Sequence, residues 1–202
     1  MTKKVFKLAD EESRDAYKLL SGLVVPRPIG WIGTKRSDHS NNLAPFSFFN
    51  VISSNPPTVM FSAGRHPDRP KDSAILAEET GEFTVNIVSE SVVEAMNHTS
   101  GSFDHMTDEF VEAGLTAIRG TVVDAPMVAE SPANLECRVV DVLALGAEGR
   151  TRVVLGEVVA VHVEEAILDG SRIDSSLLKA VGRMAGMNYI RTDEIFRVDR
   201  PE

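Results

Sequence analysis

The sequence predicts a mainly β protein, a closed or partly closed barrel with short helices between its strands. Three observations predict it. The last third carries two long β-rich runs, Leu135–Leu145 and Thr151–Glu164, flanking the turn Gly146-Ala147-Glu148-Gly149, which is a hairpin signal. The second run is apolar on both faces, with Val153, Leu155, Val159, Val161 and Val163 on one and Val154, Val158 and Ala160 on the other. Such a strand must be covered on both sides. A barrel interior covers one, and a helix or a second subunit must cover the other, which gives a physical reason to expect a homodimer. Elsewhere the strand signals do not alternate regularly with long helices, which argues against a doubly wound sheet.

The elements follow in order. Residues 1–20 read as an N-terminal arm, the arm proper being 1–16, with a short helix at Ser13–Leu20. Ile29–Thr34 reads as a strand and residues 37–42 as a polar turn. Ala44–Val51 is strand or extended loop, and Pro56-Pro57 introduces the β-rich Thr58–Ser62. Asp72 is placed to cap a helix that runs to Thr80 and stops at Gly81. Phe83–Val88 is a strand. Ser89 is placed to cap a helix over Glu90–Asn97, Thr99–His105 is loop, and Thr107 caps a short helix ending at Gly114. After the long hairpin come a helix at Ser175–Val181 and a final strand pair, Asn188–Arg191 with Ile195–Val198.

At 202 residues, 43% hydrophobic and 25% charged, the chain is sized for a single domain spanning 1–202. The net charge is −9, and no Lys or Arg occurs between Lys71 and Arg119. Nucleic-acid binders usually show a basic face, so nucleic acid is set aside, and an acidic surface disfavours anionic membranes. The one cysteine, Cys137, excludes an intrachain disulfide and suits a cytoplasmic location. The basic start has no apolar run behind it and does not read as a signal peptide. No run approaches the roughly 20 apolar residues that span a bilayer.

The sharpest chemical feature is the helix opening Lys71-Asp72-Ser73. Free N–H groups and the dipole favour an anion at a helix start. Lys71 adds charge, Ser73 adds a hydroxyl donor, and Arg65, His66 and Arg69 lie just upstream. It is either a phosphate cradle or an ordinary capped helix beside a solvated basic loop. Pro45-Phe46-Ser47-Phe48-Phe49-Asn50 combines aromatic rings with hydrogen-bonding ends, which suits the edge of a flat aromatic ligand but equally a barrel strand with its core phenylalanines. Trp31, between Gly30 and Gly33, either borders a ligand or fills a core gap. Arg27 either binds phosphate or pairs with a carboxylate.

The histidines form no metal pattern, and no metal is expected. His98 and His162 are the weak candidates for a catalytic role, His162 reading equally as a satisfied barrel histidine. Gly-x-Ser-x-Gly and Gly-x-Gly-x-x-Gly are both absent, so neither a serine nucleophile nor a Rossmann nicotinamide site is encoded.

Taken together, these segments resemble the flavin reductase-like, FMN-binding split-barrel family. The resemblance rests on Arg27-Pro28 leading to Trp31 and Thr34, on Asn42-Leu43-Ala44-Pro45-Phe46-Ser47-Phe48-Phe49-Asn50, and on Pro56-Pro57 with Met60-Phe61-Ser62. Lys71-Asp72-Ser73, Gly81 to Asn86, Asp108-Glu109-Phe110, Ala113 to Thr116, Leu135-Glu136-Cys137 and Gly156-Glu157-Val158 to His162 continue it. It implies a split β-barrel of Greek-key type, a homodimer holding FMN near the subunit interface. Ser47, Phe48, Phe49 and Asn50 would line the flavin, and Lys71, Asp72 and Ser73 would hold its phosphate, with Ser62 and Arg69 close by. Arg27, Trp31 and Thr34 complete the cofactor-binding candidates. Asn97 to Ser100 and Arg183 to Tyr189 would close the pocket. Two departures fall where a substrate would meet the ring: Ser102-Phe103-Asp104-His105, and Gly-Arg-Met-Ala-Gly (182–186) in place of the family's Gly-Gly.

The activity implied is NAD(P)H:flavin reduction, with NADH or NADPH as transient donor and electrons passed to a second flavin, a ferric complex or a partner such as an oxygenase. The flavin carries the redox chemistry, and no side chain need act as acid or base. The alternative is an FMN-binding electron-transfer or storage protein without NAD(P)H activity.

Overall fold

The structure is a computed structural model that describes residues 1–8, 13–38, 40–64, 70–146 and 149–201, with only the backbone described at 13–14. Helix α1 (Ser13–Leu23) leads into strands β1 (Gly30–Lys35), β2 (Asn41–Phe46), β3 (Phe49–Ser54) and β4 (Pro57–Ala63). Helix α2 (Asp72–Thr80) precedes β5 (Glu82–Ile87). Helices α3 (Val93–His98) and α4 (Glu109–Glu112) then precede the short pair β6 (Ala117–Arg119) and β7 (Pro126–Val128). The long hairpin is β8 (Ala133–Leu145) with β9 (Thr151–Val163). The chain ends with β10 (Leu168–Asp169), β11 (Arg172–Ile173), the one-turn helix α5 (Ser175–Leu178), β12 (Val181–Arg183) and β13 (Tyr189–Arg191).

Seven strands form one antiparallel sheet in the order β2-β1-β5-β8-β9-β4-β3. Its edge strands β2 and β3 are separated in sequence only by Ser47 and Phe48, so the sheet curls until its edges meet, and the Ser62 N–H donates to the Phe48 carbonyl at 2.8 Å beside that seam. The alternation of side chains along each strand then builds two cores. The barrel interior holds Ile32, Val59, Phe61, Phe83, Val85, Cys137 and Val154, with Phe61 packing against Phe46 and Phe83 at ring distances of 5.1 and 5.2 Å. Each fully buried phenylalanine contributes about 2–3 kcal/mol. Ala74 and Ala77 of α2 join this core, their small side chains letting the helix pack closely against the barrel strands. Outside the barrel, Trp31 and Leu43 pack beneath α3 and α4 with Val88, Met96, Phe110 and Val128.

A polar row lies between these cores. Thr84 and Asn86 of β5, with Asn134 and Glu136 of β8, alternate with interior residues and hold the segment 120–128 against the sheet. Thr84 donates to the Pro126 carbonyl (2.5 Å), Asn134 to the Val128 carbonyl (3.0 Å), and the Val128 N–H to Asn86 Oδ1 (2.8 Å). Glu136 accepts from the N–H groups of Thr121, Val122 and Val123. Gly33 is required beneath this segment, because a Cβ there would collide with the Pro126 carbonyl.

Several expected boundaries are corrected. The cap of α2 is Lys71, with Asp72 already in the first turn, while Gly81 at φ 72° ends the helix as expected. Ser89 starts no helix; its hydroxyl pairs with Ser91 and α3 begins at Val93. Asp108, not Thr107, caps α4 by accepting from the Phe110 N–H. The helix expected over 175–181 is one turn, stopped by Lys179 at φ 47°. β13 pairs with β12 rather than with 195–198, because Arg183 and Arg27 exchange backbone hydrogen bonds (2.9 and 3.0 Å) that hold β12 against the barrel.

Candidate functional site

The N-terminus of α2 opens into a cleft of about 130 Å³. One wall is β2, through Asn42, Ala44, Pro45 and Phe46. The second is Pro70 with Lys71, Asp72 and Ser73, and the third is the loop Thr99 to Phe103, with Glu109 at its edge. Lys71 enters the helix in an extended conformation (φ −66°, ψ 141°), and its own side chain makes no capping hydrogen bond. The helix dipole and Lys71 therefore favour an anion in the cleft, although Asp72 and Glu109 also face it. Ser73 is buried, and its Oγ accepts from Asn42 Nδ2 at 2.9 Å; the same amide nitrogen donates to Thr34 Oγ1 at 3.1 Å.

The loop wall is fixed from behind. The buried indole N–H of Trp31 donates to Thr99 Oγ1 (2.9 Å), and Thr99 donates to the Met96 carbonyl (2.8 Å). His98 is exposed, with its ring 5.7 Å from that of Phe103. Two carboxylates tie α4 to β2: Asp108 accepts from Asn41 Nδ2 (3.0 Å) and Glu109 from the Leu43 N–H (3.0 Å). Burial pushes the Glu109 carboxyl above its usual value, against the pull of the Leu43 bond and of Arg36. Arg36 is 6% exposed; it donates to the Asn41 carbonyl through Nη1, while Nε and Nη2 have no hydrogen-bond partner among the described residues.

The expected site residues divide. Lys71, Asp72 and Ser73 line the cleft, and Thr34 lies one hydrogen bond behind it. Trp31 is not among the lining residues: it is fully buried, and its indole N–H bonds Thr99 of the cleft loop. Arg27 is committed to the chain itself, donating to Ser47 Oγ (3.3 Å) and to the carbonyls of Ser21, Val24 and Met184 (2.6, 2.7 and 3.1 Å). Ser47, Phe48, Phe49, Asn50 and Ser62 are at the β2–β3 seam and on β3 and β4, outside the cleft lining. Phe49 is in the barrel core, Phe48 is exposed beside Tyr17 and Arg27, and Asn50 is exposed with its Oδ1 accepting from the Val51 N–H. Arg69, with Arg65 and His66, lies outside the described residues. His162 is paired away from the cleft, its Nε2 2.5 Å from Glu136 Oε1. Among the described residues no cluster of three or more His, Cys, Asp or Glu is arranged to hold a metal.

Asn42 and Glu109 are cleft residues that motif reading did not single out as ligand contacts. The signal for Asn42 is the alternation of β2, which puts it on one face with Ala44 and Phe46. Glu109 had no such signal, since a carboxylate in a one-turn helix reads as solvated surface.

The cleft suits an anionic group such as a phosphate on its own chemistry: the start of α2, the Lys71 cation and the buried Ser73 hydroxyl converge there. The family model for the flavin reductase like domain matches residues 21–184. The chain belongs to that family. An uncharacterized protein of Deinococcus radiodurans is 42% identical over 193 residues, covering 91% of this chain and 84% of its own. The structure of nitrilotriacetate monooxygenase component B from Bacillus cereus is similar at TM-score 0.95 and 33% identity, covering 98% of this chain and 100% of that one. The Pseudomonas fluorescens 2-nitrobenzoate 2-nitroreductase follows at TM-score 0.89 and 27% identity, covering 98% and 96%. A split-barrel-domain structure from Shewanella frigidimarina is similar at 0.83 and 26%, covering 96% of each chain. The fold is thus the mainly β split barrel of the flavin reductase-like proteins. Among the described residues no helix is long and apolar enough to cross a membrane.

Proposed function

We propose that this flavin reductase-like protein is an FMN-binding oxidoreductase, an NAD(P)H:flavin reductase that passes electrons to a second flavin or to a partner oxygenase. The observation that carries the reading is the cleft at the start of α2, where Lys71, Ser73 and the helix N-terminus meet the apolar wall Ala44-Pro45-Phe46. Support for redox work comes from the relatives, one a monooxygenase component and one a nitroreductase.

Bound FMN would supply the redox chemistry, accepting hydride from NADH or NADPH. The chain's own residues bind and orient. Lys71 and the first turn of α2 neutralise the phosphate, and Ser73 donates a hydrogen bond to it. The seam residues Ser47, Phe48 and Asn50 are left to border the ring end of the ligand. The loop Thr99 to Phe103 shields the cleft from water. Val140, Leu143 and Val161 of the long hairpin are exposed, and this apolar surface is left for a second copy, so the active form is a homodimer.

An anaerobic visible titration of the FMN-loaded protein with NADH and then NADPH tests the reading. Bleaching of the bound flavin by either donor supports a reductase and names its donor. Bound flavin that neither donor bleaches supports the carrier or storage alternative. Failure to bind FMN removes the reading altogether. Lys71→Ala is expected to weaken FMN binding about tenfold by loss of a charge-assisted contact. A Kd equal to the parent's would show that the phosphate lies elsewhere.

A further inference from the structure

The hydroxyl of Ser73 has a defined hydrogen-bond polarity, and Asn42 sets it. Ser73 is 1% and Asn42 2% exposed, and both line the cleft. Asn42 Nδ2 carries two protons and both are placed, one on Ser73 Oγ at 2.9 Å and one on Thr34 Oγ1 at 3.1 Å. A hydroxyl has one proton and two lone pairs. With a lone pair of Ser73 taken by Asn42, its own proton points away from that amide, toward an acceptor in the cleft. An amide turned the other way would take the Ser73 proton and aim a lone pair at the ligand, which repels an anion.

From this we infer that Asn42 is a positioning residue for the phosphate of the ligand: it holds Ser73 as a donor and so selects a phosphorylated flavin over its unphosphorylated form. The bias matters because Asp72 and Glu109 face the same cleft. There, a hydroxyl free to accept would serve a cation or a neutral alcohol equally well. The inference rests on the flavin reading above and goes beyond it by naming what discriminates between two flavins with the same ring.

The test measures Kd for FMN and for riboflavin, by quenching of flavin fluorescence, in the parent, Ser73→Ala, Asn42→Asp and the double variant. The readout is the ratio of the two affinities, which a general loss of stability moves little because both flavins share the ring. Ser73→Ala is expected to lower the preference for FMN about tenfold, the size of one hydrogen bond to a charged group. Asn42→Asp keeps the size of the side chain but accepts from Ser73. It is expected to lower the preference by at least about tenfold where Ser73 is present and by less than about threefold more in the Ser73→Ala background.

Equal losses in both backgrounds would trace to the added charge alone and overturn the inference. An unchanged preference in Asn42→Asp would mean that the amide already accepts from Ser73, and would overturn it too. If Asn42→Asp gives no soluble protein, the uncharged Asn42→Ala takes its place, with a loss expected only where Ser73 is present. A parent that binds both flavins equally would overturn the inference and leave the flavin reading standing, whereas a parent that binds neither would remove both.

Discussion

Glu136 shows how a single side chain is fixed by its surroundings. It is fully buried between the sheet and the 120–123 segment. Burial alone would raise its carboxyl. His162, the Thr121 hydroxyl and the backbone N–H groups of Thr121 and Val123 outweigh that and hold it at about 2, down from 4.5. A depressed carboxylate contributes stability that is present above its unfolded value and lost as pH falls toward its folded value. Glu136→Gln leaves N–H groups facing a donor and is expected to cost about 3 kcal/mol at pH 7. In urea titrations from pH 7 down to pH 4, the gap from the parent should narrow below about 4.5. Gly120 belongs to the same contact, since a Cβ there would lie 2.5 Å from Glu136 Oε2.

Glu109 has the opposite sign. Its carboxyl is raised, so its contribution is present at low pH and lost as pH rises through the raised value. Glu109→Gln keeps an acceptor for the Leu43 N–H and is expected to be more stable than the parent at pH 8, with the difference vanishing at pH 4. A parent as stable as the variant at pH 8 would count against the raised value.

At the scale of elements, what was legible in the sequence was what periodicity and breakers encode. The long hairpin, the apolar strand bearing Ile32, and a helix stopped by Gly81 are all found where residue pattern placed them. The misplaced elements are those whose ends depend on tertiary contacts. The pair β12–β13 is selected by backbone bonds to Arg27, and β7 lies where it does because Thr84, Asn86 and Asn134 supply partners from two other strands. No local pattern announces such partners. The site divides in the same way. The helix start at Lys71-Asp72-Ser73, which lines the cleft, was legible because a helix start is a local feature. Trp31 could be read as core or as ligand contact, and the structure puts it in the core with one hydrogen bond toward the cleft loop. Trp31→Phe keeps most of the packing but frees Thr99. It is expected to cost about 1–2 kcal/mol in stability and to raise amide exchange over residues 99–103 more than in the barrel strands. Uniform exchange across the protein would argue against that link.

At the scale of the molecule, the strand order has a direct consequence. β1, β2 and β5 form one half of the sheet, β3 and β4 another, and β8 and β9 are the strands that join them. A chain cut after residue 131 would leave two half-sheets with open edges, and such edges pair with one another between molecules. The fragment 1–131 is therefore expected to be recovered as aggregate, while addition of a separately made 132–202 piece during refolding should return soluble protein with the far-ultraviolet spectrum of the whole.

The same order bears on how the chain is made. Residues 30–87 leave the ribosome before the long hairpin and carry the five strands of both halves, yet nothing in them bridges β5 to β4. The nascent protein must wait for the hairpin at 133–163 before its barrel can shut, with Phe61 and Phe83 meanwhile exposed to any other apolar surface in reach. Synthesis thus passes through an interval in which holdase protection matters more than it does for the finished molecule, and slowing translation before residue 133 would lengthen that interval.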